Sequence, residues 1–267
     1  MSPDHPAPGA DRALLEEVAR EGGAVAMDFF RRDPRKWEKP GEAGPVTEAD
    51  LAVDVLAKSR LEAARPDYGW LSEETPDDAA RLASETVFIV DPIDGTRAFI
   101  AGETGWCVAL AVARAGVVTA AAAWFPALGQ LYSAALGEGA TRDGAAIGHS
   151  GRGALAGARA LSGAAQLDPK LWPGGAPPVR RAFRPSLVHR MCLVADGGAD
   201  AVITLRDAWE WDVAAGALIA AEAGCAVSDG DGAALRFNAP GARSRGLIAA
   251  PPALHGALLA LRRPPAA

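Results

Sequence analysis

The chain has 267 residues, 49% of them hydrophobic and 22% charged, a balance that is ordinary for a globular protein with a sizeable core. Its formal net charge of −6 and the lack of basic runs argue against binding of nucleic acid polymers. The apolar stretch 117–125 is far too short to span a bilayer, so we expect no membrane-spanning segment.

Cysteine usage points to a reducing compartment. Cys107, Cys192 and Cys225 lie far apart in apolar sequence, which is typical of buried free thiols and not of a disulfide framework or a zinc site. The first residues lack the basic and then apolar pattern of a signal peptide. We therefore expect a cytoplasmic protein.

The first half of the chain predicts two helices followed by strands. A helix is expected after Asp11 as N-cap, and a second helix begins at Thr47, with Asp50 at position N3, and ends before Pro66. The segments 68–74 and 86–96 predict short strands that end in carboxylates, and 105–147 predicts an antiparallel meander.

The second half alternates short strands with helices, which predicts an α/β layer. The Gly-rich segment 148–158 is the expected domain boundary. We therefore predict an N-terminal α+β half, residues 1–150, and a C-terminal α/β half, residues 151–267.

Carboxylates stand where predicted apolar elements or turns begin or end. They are Asp50, Glu73, Glu74, Asp91, Asp94 and Asp212. Alone, each could be a helix-start acid, part of a solvated acidic loop or a turn residue. Together, converging carboxylates require a cation or raised pKa values. Oxygen ligands without histidine or cysteine favour Mg²⁺, Mn²⁺ or Ca²⁺ over zinc, and 91–102 lacks the ligand spacing of an EF-hand.

Gly95 and Thr96 follow two of these carboxylates directly and open a turn or helix. Backbone N–H groups at such a start can cradle a phosphate, and glycine permits close approach. Metal ligands beside a phosphate cradle indicate metal-assisted phosphoryl hydrolysis.

Two stretches resemble signatures of the inositol monophosphatase superfamily. "DPIDGTRAF" at 91–99 is similar to DPxDGTxxF, and "WDVAAGALIAAEAG" at 211–224 is similar to WDxAAGxxxxxEAG. "VTEAD" at 46–50 and "SEE" at 72–74 precede them in the expected order. The resemblance implies an α+β / α/β layered αβαβα sandwich (the sugar phosphatase fold). It also implies hydrolysis of a small phosphomonoester by water activated by Mg²⁺, with two or three ions per site and Mn²⁺ as a substitute.

The resemblance also implies residue roles. The implied metal ligands are Glu73, Asp91, the carbonyl of Ile93, Asp94 and Asp212. The implied catalytic residues are Asp50, Glu73 and Thr96, and phosphate binding is implied for Asp94, Gly95 and Thr96. Thr47 and Glu74 would support these groups, and Lys39 falls where the family often carries a lysine on a loop at the metal site, although a solvated-loop lysine is an equal alternative.

The leaving-group pocket decides which ester is hydrolysed. Inositol-specific members usually carry a glutamate seven residues before the second-signature aspartate, where this chain has Leu205. Glu210 resembles the bisphosphate nucleotidase branch, although Ser186 lies in Pro-Ser-Leu and not in the Gly-Ser-Ser of that branch. Ser186 and Glu210 are expected to bind substrate, and Trp172 to form a lip of the cleft.

We therefore rank 3′(2′),5′-bisphosphate nucleotidase first, with 3′-phosphoadenosine 5′-phosphate as the substrate. An inositol-1-monophosphatase or broad-specificity sugar phosphatase comes second and a histidinol-phosphate phosphatase third. A non-catalytic regulator that binds metal or phosphate comes last, because none of the expected ligands is lost. By resemblance, lithium should inhibit the protein and a homodimer is expected.

Overall fold

The computed structural model describes residues 6–39 and 44–264. Within these residues the α-helices are α1 (Pro8–Phe29), α2 (Glu48–Ala64), α3 (Thr96–Ile100), α4 (Leu187–Ala195), α5 (Glu210–Glu222) and α6 (Pro252–Arg262). No helix in this part of the chain is both long enough and apolar enough to cross a bilayer.

The strands of the first half form a hairpin and a large sheet. They are β1 (Lys36–Glu38), β2 (Pro45–Thr47), β3 (Gly69–Ser72), β4 (Thr86–Asp94), β5 (Cys107–Arg114), β6 (Val117–Phe125), β7 (Gln130–Ala135), β8 (Gly139–Arg142) and β9 (Ala145–Ala146). The β1–β2 hairpin is separate, and β3 to β9 follow one another in a seven-stranded sheet. Only β3 and β4 are parallel; the other neighbours are antiparallel, as the predicted meander requires.

The second half supplies a smaller sheet. Its strands are β10 (Arg159–Ser162), β11 (Arg180–Ala182), β12 (Ala201–Thr204), β13 (Ala208–Trp209), β14 (Ala226–Ser228), β15 (Arg243–Ser244) and β16 (Leu247–Ala250). The five-stranded sheet has the order β11-β10-β12-β16-β14, and β13 pairs with β15 apart from it.

Side-chain alternation in β5 explains how the layers stack. Val108, Leu110 and Val112 pack with α1 and α2 on one face, and Cys107 and the alanines that alternate with them face α4 and α5. On the far side of the smaller sheet, Leu254 and Leu258 of α6 pack against Ile248. The layers are therefore α1/α2, large sheet, α4/α5, small sheet and α6, which confirms the predicted αβαβα sandwich.

Helix α5 comes from the second half of the chain but packs against β4 to β8 of the first sheet. Close approach between α4 and α5 depends on Gly216, because a Cβ there would lie 2.4 Å from Cε of Met191. The two halves thus share the core between the sheets, and a domain boundary near residue 150 stays a prediction.

Two predicted helix starts have different outcomes. Thr47 and Asp50 form the expected capping box at α2. The expected cap at Asp11 is wrong, since α1 begins at Pro8 and Asp11 is a buried residue that accepts hydrogen bonds from Arg65 and Tyr68. Proline at N1 is already suited to the helix start, so the acid is free for a tertiary contact.

Candidate active site

The capping box of α2 places a buried acid at the site. Oδ2 of Asp50 accepts hydrogen bonds from the amide of Thr47 at 2.8 Å and from its hydroxyl at 2.6 Å. Burial raises the pKa of Asp50 to about 6, although the Thr47 bonds oppose the shift. A carboxylate with such a pKa can accept a proton near neutral pH.

Strand β4 carries two acids into the site with the help of a bulge. Asp91 and Asp94 are three positions apart, but their partners Ala109 and Cys107 are only two positions apart, so β4 contains one extra residue. In a regular strand, residues three apart point to opposite faces, and the bulge removes this difference. The amide of Ile93 donates to Oδ1 of Asp91 at 3.0 Å, which fixes this carboxylate.

Gly95 and Thr96 turn the chain from β4 into α3. Gly95 has φ of +97°, and a Cβ there would lie 3.2 Å from Cβ of Ser186, so glycine is needed for both conformation and space. The hydroxyl of Thr96 lies 3.1 Å from the carbonyl oxygen of Ile93 and 3.3 Å from Oδ1 of Asp50. Hydrogen bonds thus connect Thr47, Asp50 and Thr96, the residues to which the resemblance assigns catalytic and supporting roles.

Asp212, in the first turn of α5, joins the two acids of β4. Asp91, Asp94 and Asp212 each offer an oxygen within 4.8 Å of the others. Burial, together with neighbouring carboxylates, raises the pKa of Asp91 and of Asp212 well above the usual range. Burial also raises the pKa of Asp94 to about 6, against hydrogen bonds from Ser186 and Val188. Such a cluster favours a bound cation.

Glu73 and Glu74, just after β3, are bridged by Lys39. Nζ of Lys39 lies 2.7 Å from Oε1 of Glu73 and 2.6 Å from Oε1 of Glu74. Burial raises the pKa of Glu74 to about 7 even though Lys39 opposes the shift. Lys39 is therefore not a solvated-loop residue. The neighbouring residues 40–43, which belong to the same predicted loop, lie outside the described residues.

The acids open into a cavity of 440 Å³. Glu73, Asp91, Ile93, Asp94, Gly95, Thr96 and Asp212 line one part of it. The rest of the wall includes Phe183, Leu187, Arg190, Arg206 and Trp209. One cavity thus combines the expected metal ligands, the expected phosphate cradle and a basic and aromatic wall.

Direct substrate contact, predicted for Ser186 and Glu210, is not what the structure shows. Both residues are 0% exposed. The hydroxyl of Ser186 donates to Oδ2 of Asp94 at 2.5 Å, and the carboxylate of Glu210 accepts from the amides of Asn238 at 2.6 Å and Ala239 at 2.8 Å. Their polar groups are used inside the protein, so both position other parts of the site.

Trp172 is not a lip of the cleft. It is buried in the core beside α6, and its Nε1 donates to the carbonyl of Gln166 at 2.9 Å. Leu205 does not line the cavity either, because its side chain packs against the same core. Its amide donates to Oε1 of Gln166 at 2.7 Å.

Sequence reasoning missed the two arginines of the wall, Arg190 and Arg206. Arg190 is the only charged residue of the otherwise apolar helix α4, and Arg206 stands shortly after the buried strand β12. A charge inside an apolar helix and a charge just past a strand end are signals that could have identified them.

His255 contacts a serine outside the cavity. Its Nε2 lies 2.9 Å from Oγ of Ser228, 27 residues earlier in the chain. Neither residue lines the cavity, so the pair takes no part in the site.

The donor set suits a hard divalent cation. Carboxylates of Asp91, Asp94 and Asp212 and the carbonyl of Ile93 offer oxygen only, and buried carboxylates this close together repel one another unless a cation neutralises them. Glu73 faces the same cavity. These residues can hold metal ions against a phosphate at Gly95 and Thr96, which fits phosphomonoester hydrolysis.

Comparison with known proteins agrees with this geometry. Residues 11–264 match the inositol monophosphatase family. A 3′-phosphoadenosine 5′-phosphate phosphatase of Mycobacterium leprae is 34% identical over 88% of this chain and 87% of its own length. An inositol-1-monophosphatase of Rhizobium meliloti is 30% identical over 82% of this chain and 85% of its own. The solved structure of a Thermotoga maritima IMPase, 24% identical, superimposes with a TM-score of 0.80 over 95% of this chain and 96% of its own. With this fold and acidic cavity, the chain belongs to the inositol monophosphatase family of metal-dependent phosphatases.

Proposed function

We propose that the protein is a Mg²⁺-dependent 3′(2′),5′-bisphosphate nucleotidase that removes the 3′-phosphate of 3′-phosphoadenosine 5′-phosphate. The observation that carries the proposal is the shared cavity, in which buried acids and the Gly95–Thr96 turn face a basic and aromatic wall. The similarity to the Mycobacterium leprae phosphatase over most of both chains supports the same substrate.

Mg²⁺ would be held by Glu73, Asp91, Asp94, Asp212 and the carbonyl of Ile93. When bound, it supplies a water of lowered pKa and neutralises charge on the phosphate. The protein's own acids make this cofactor necessary, because a phosphate beside so many carboxylates would otherwise be repelled.

The residues of the chain then have distinct tasks. The amides of Gly95 and Thr96 bind phosphate oxygens, since the first N–H groups of a helix have no acceptor within it. The hydroxyl of Thr96 orients the attacking water, and Asp50, 3.3 Å from that hydroxyl, takes up the proton.

The wall of the cavity favours this substrate over the alternatives. Arg190 and Arg206 would repel the cationic ammonium group of histidinol phosphate. An inositol leaving group would find no carboxylate from position 205, since Leu205 packs away from the cavity. The inositol alternative stays second because of the similarity to the Rhizobium meliloti enzyme.

The test is phosphate release at saturating Mg²⁺ from 3′-phosphoadenosine 5′-phosphate, inositol 1-phosphate, fructose 1,6-bisphosphate and histidinol phosphate, compared by kcat/KM. We expect the nucleotide to be preferred and chelator to abolish release from all four. Preference for inositol 1-phosphate would overturn the substrate proposal. Release that persists in chelator and in Asp91→Asn would overturn the metal-dependent mechanism.

A cytoplasmic location belongs to the same proposal. Cys107, Cys192 and Cys225 are free and buried, as expected in a reducing compartment. Lithium inhibition and a homodimer stay predictions.

A further inference from the structure

Two arginines line the wall of the cavity that also holds the acids. Arg190 comes from α4, and Arg206 follows β12. Burial lowers the pKa of Arg190, and the charge of Arg206 lowers it further, whereas Asp94 and Asp212 oppose this effect. Arg190 is therefore electrostatically close both to Arg206 and to the acidic cluster.

Arg190 is held in place by its own surroundings. Its Nε donates to the carbonyl of Arg184 at 2.5 Å and its Nη2 to that of Pro185 at 3.1 Å. Its guanidinium also lies 4.5 Å from the ring centroid of Phe183. These contacts fix a positive charge on the cavity wall, since both carbonyls belong to the segment that leads into α4.

The charge of Arg206 acts on Asp212, whose pKa it lowers against the larger effect of burial. The amide of Arg206 donates to Oε1 of Gln166 at 3.2 Å, but among the described residues its side chain has no hydrogen-bond or ion-pair partner. Two guanidinium groups on the wall of one cavity repel each other, and a bound anion removes this cost. Five donors on each group suit phosphate oxygens.

A third arginine of the cavity, Arg97, lies on another side. It follows Thr96 directly and also lines a shallow groove with Trp37, Pro45 and Ile100. Arg97 is therefore next to the cradle of the phosphate that is hydrolysed. Arg190 and Arg206 share their part of the wall with Trp209. The ring of Trp209 stacks on that of Trp211 with 4.7 Å between the ring centroids, and the guanidinium carbon of Arg243 lies 3.6 Å from the Trp209 ring centroid.

We propose that Arg190 and Arg206 form a second anion site that binds the phosphate group of the substrate that is not hydrolysed. This inference rests on the proposed function, since it assigns the 5′-phosphate of a 3′,5′-bisphosphate nucleotide to the two arginines. The site selects substrates with two phosphates, and inositol 1-phosphate lacks the second one.

The experiment compares pairs of substrates that differ by one phosphate. 3′-Phosphoadenosine 5′-phosphate is paired with 3′-AMP, and fructose 1,6-bisphosphate with fructose 1-phosphate. Each pair is measured with the wild type, with Arg206→Gln and with Arg180→Gln. Arg180 is an exposed residue of β11 outside the cavity, so its variant removes the same charge as a control.

In Arg206→Gln we expect KM for the bisphosphate nucleotide to rise about tenfold to a hundredfold, because a hydrogen-bonded charge pair is lost. For 3′-AMP, KM should change by a clearly smaller factor than for the bisphosphate nucleotide, and Arg206→Lys should restore part of the difference. The second anion site is overturned if the second phosphate gives no advantage to the wild type, or if Arg206→Gln affects both members of a pair equally.

An incorrect substrate assignment can be distinguished from an incorrect anion site. If the enzyme prefers fructose 1,6-bisphosphate, the nucleotide proposal fails, whereas loss of that preference in Arg206→Gln still supports the anion site. Calorimetry in chelator makes the result independent of turnover: 5′-AMP should bind more tightly than adenosine to the wild type and to Arg180→Gln. Equal affinities of 5′-AMP and adenosine for the wild type would overturn the site whatever the substrate.

Discussion

The hydroxyl of Ser186 donates a hydrogen bond of 2.5 Å to Oδ2 of Asp94, a residue 92 positions earlier in the chain. The same hydroxyl accepts from the amide of His189 at 2.8 Å and so caps α4. The amide of Val188 adds a bond of 2.7 Å to the same carboxylate oxygen. One serine therefore anchors the start of α4 and orients an expected metal ligand.

We expect Ser186→Ala to weaken metal binding as well as stability. Loss of the cap costs about 1 kcal/mol, and loss of a partner that orients a ligand lowers metal affinity by about 10-fold to 100-fold. Mg²⁺ titration of activity and thermal unfolding measure the two effects.

Ser133→Ala is the matched control for Ser186→Ala. Ser133 is also buried, and its hydroxyl donates to Oε1 of Glu16 at 2.6 Å, away from the cavity. The Ser133→Ala variant should be less stable than the wild type, but the Mg²⁺ concentration that gives half-maximal activity should be unchanged. Equal Mg²⁺ requirements in the two variants would show that the bond to Asp94 does not matter for metal binding.

The acidic cluster predicts that the metal-free protein is less stable at pH 8 than at pH 6. Burial and repulsion raise the pKa of Asp91 and Asp212 well above the usual range, and burial raises that of Asp94 to about 6. A carboxylate whose pKa is higher in the folded than in the unfolded state takes up its proton more readily when folded. The free energy of unfolding therefore increases as the pH falls through this range.

The Asp91→Asn variant tests the direction of this pH dependence. In chelator it should raise the Tm at pH 8 and reduce the difference between pH 8 and pH 6 by about 1 to 3 kcal/mol of unfolding free energy. His189, whose pKa burial lowers to about 4, acts in the opposite direction below about pH 6.5 and is common to both proteins. A Tm at pH 8 that falls in Asp91→Asn would contradict the prediction.

The contact of Lys39 with Glu73 predicts competition with the cofactor. Nζ of Lys39 lies 2.7 Å from Oε1 of Glu73, so it occupies the carboxylate that Mg²⁺ is expected to use. In Lys39→Met we expect the Mg²⁺ concentration for half-maximal activity to fall by about fivefold, which corresponds to about 1 kcal/mol for a partly exposed ion pair. The metal-free protein should lose stability because Glu73 and Glu74 lose their cation.

Lys36→Met is the control, since Lys36 lies on the same hairpin and its ammonium, among the residues that the structure describes, pairs with Asp33 alone, at 3.5 Å. Its Mg²⁺ requirement should match that of the wild type. A higher requirement in Lys39→Met would mean that the lysine helps to hold the metal site and does not compete for it.

The acids were predictable because each ends or begins an apolar element, and such boundaries are visible in the sequence. The bulge in β4 was not visible, since it depends on the register between β4 and β5. Trp172 was misplaced for a similar reason. Its short, Pro-flanked segment has no periodicity, so only the packing of α6 against the smaller sheet reveals that the ring is buried. The roles of Ser186 and Glu210 depend on partners many residues away, which local patterns do not identify.

Glu210 gives the last prediction, because the structure assigns it a positioning role. Its carboxylate accepts from the amides of Asn238 and Ala239, and Arg81 donates to the side chain of Asn238 at 2.6 Å. In Glu210→Gln one of these amides would face an NH₂ group, so we expect a loss of about 1 to 3 kcal/mol in unfolding free energy. Activity should fall through displacement of Asp212, two residues further along α5. The ratio of kcat/KM for 3′-phosphoadenosine 5′-phosphate to that for 3′-AMP should not change, since Glu210 does not line the cavity. A change in this ratio at unaltered stability would restore the interpretation of Glu210 as a residue that contacts the substrate.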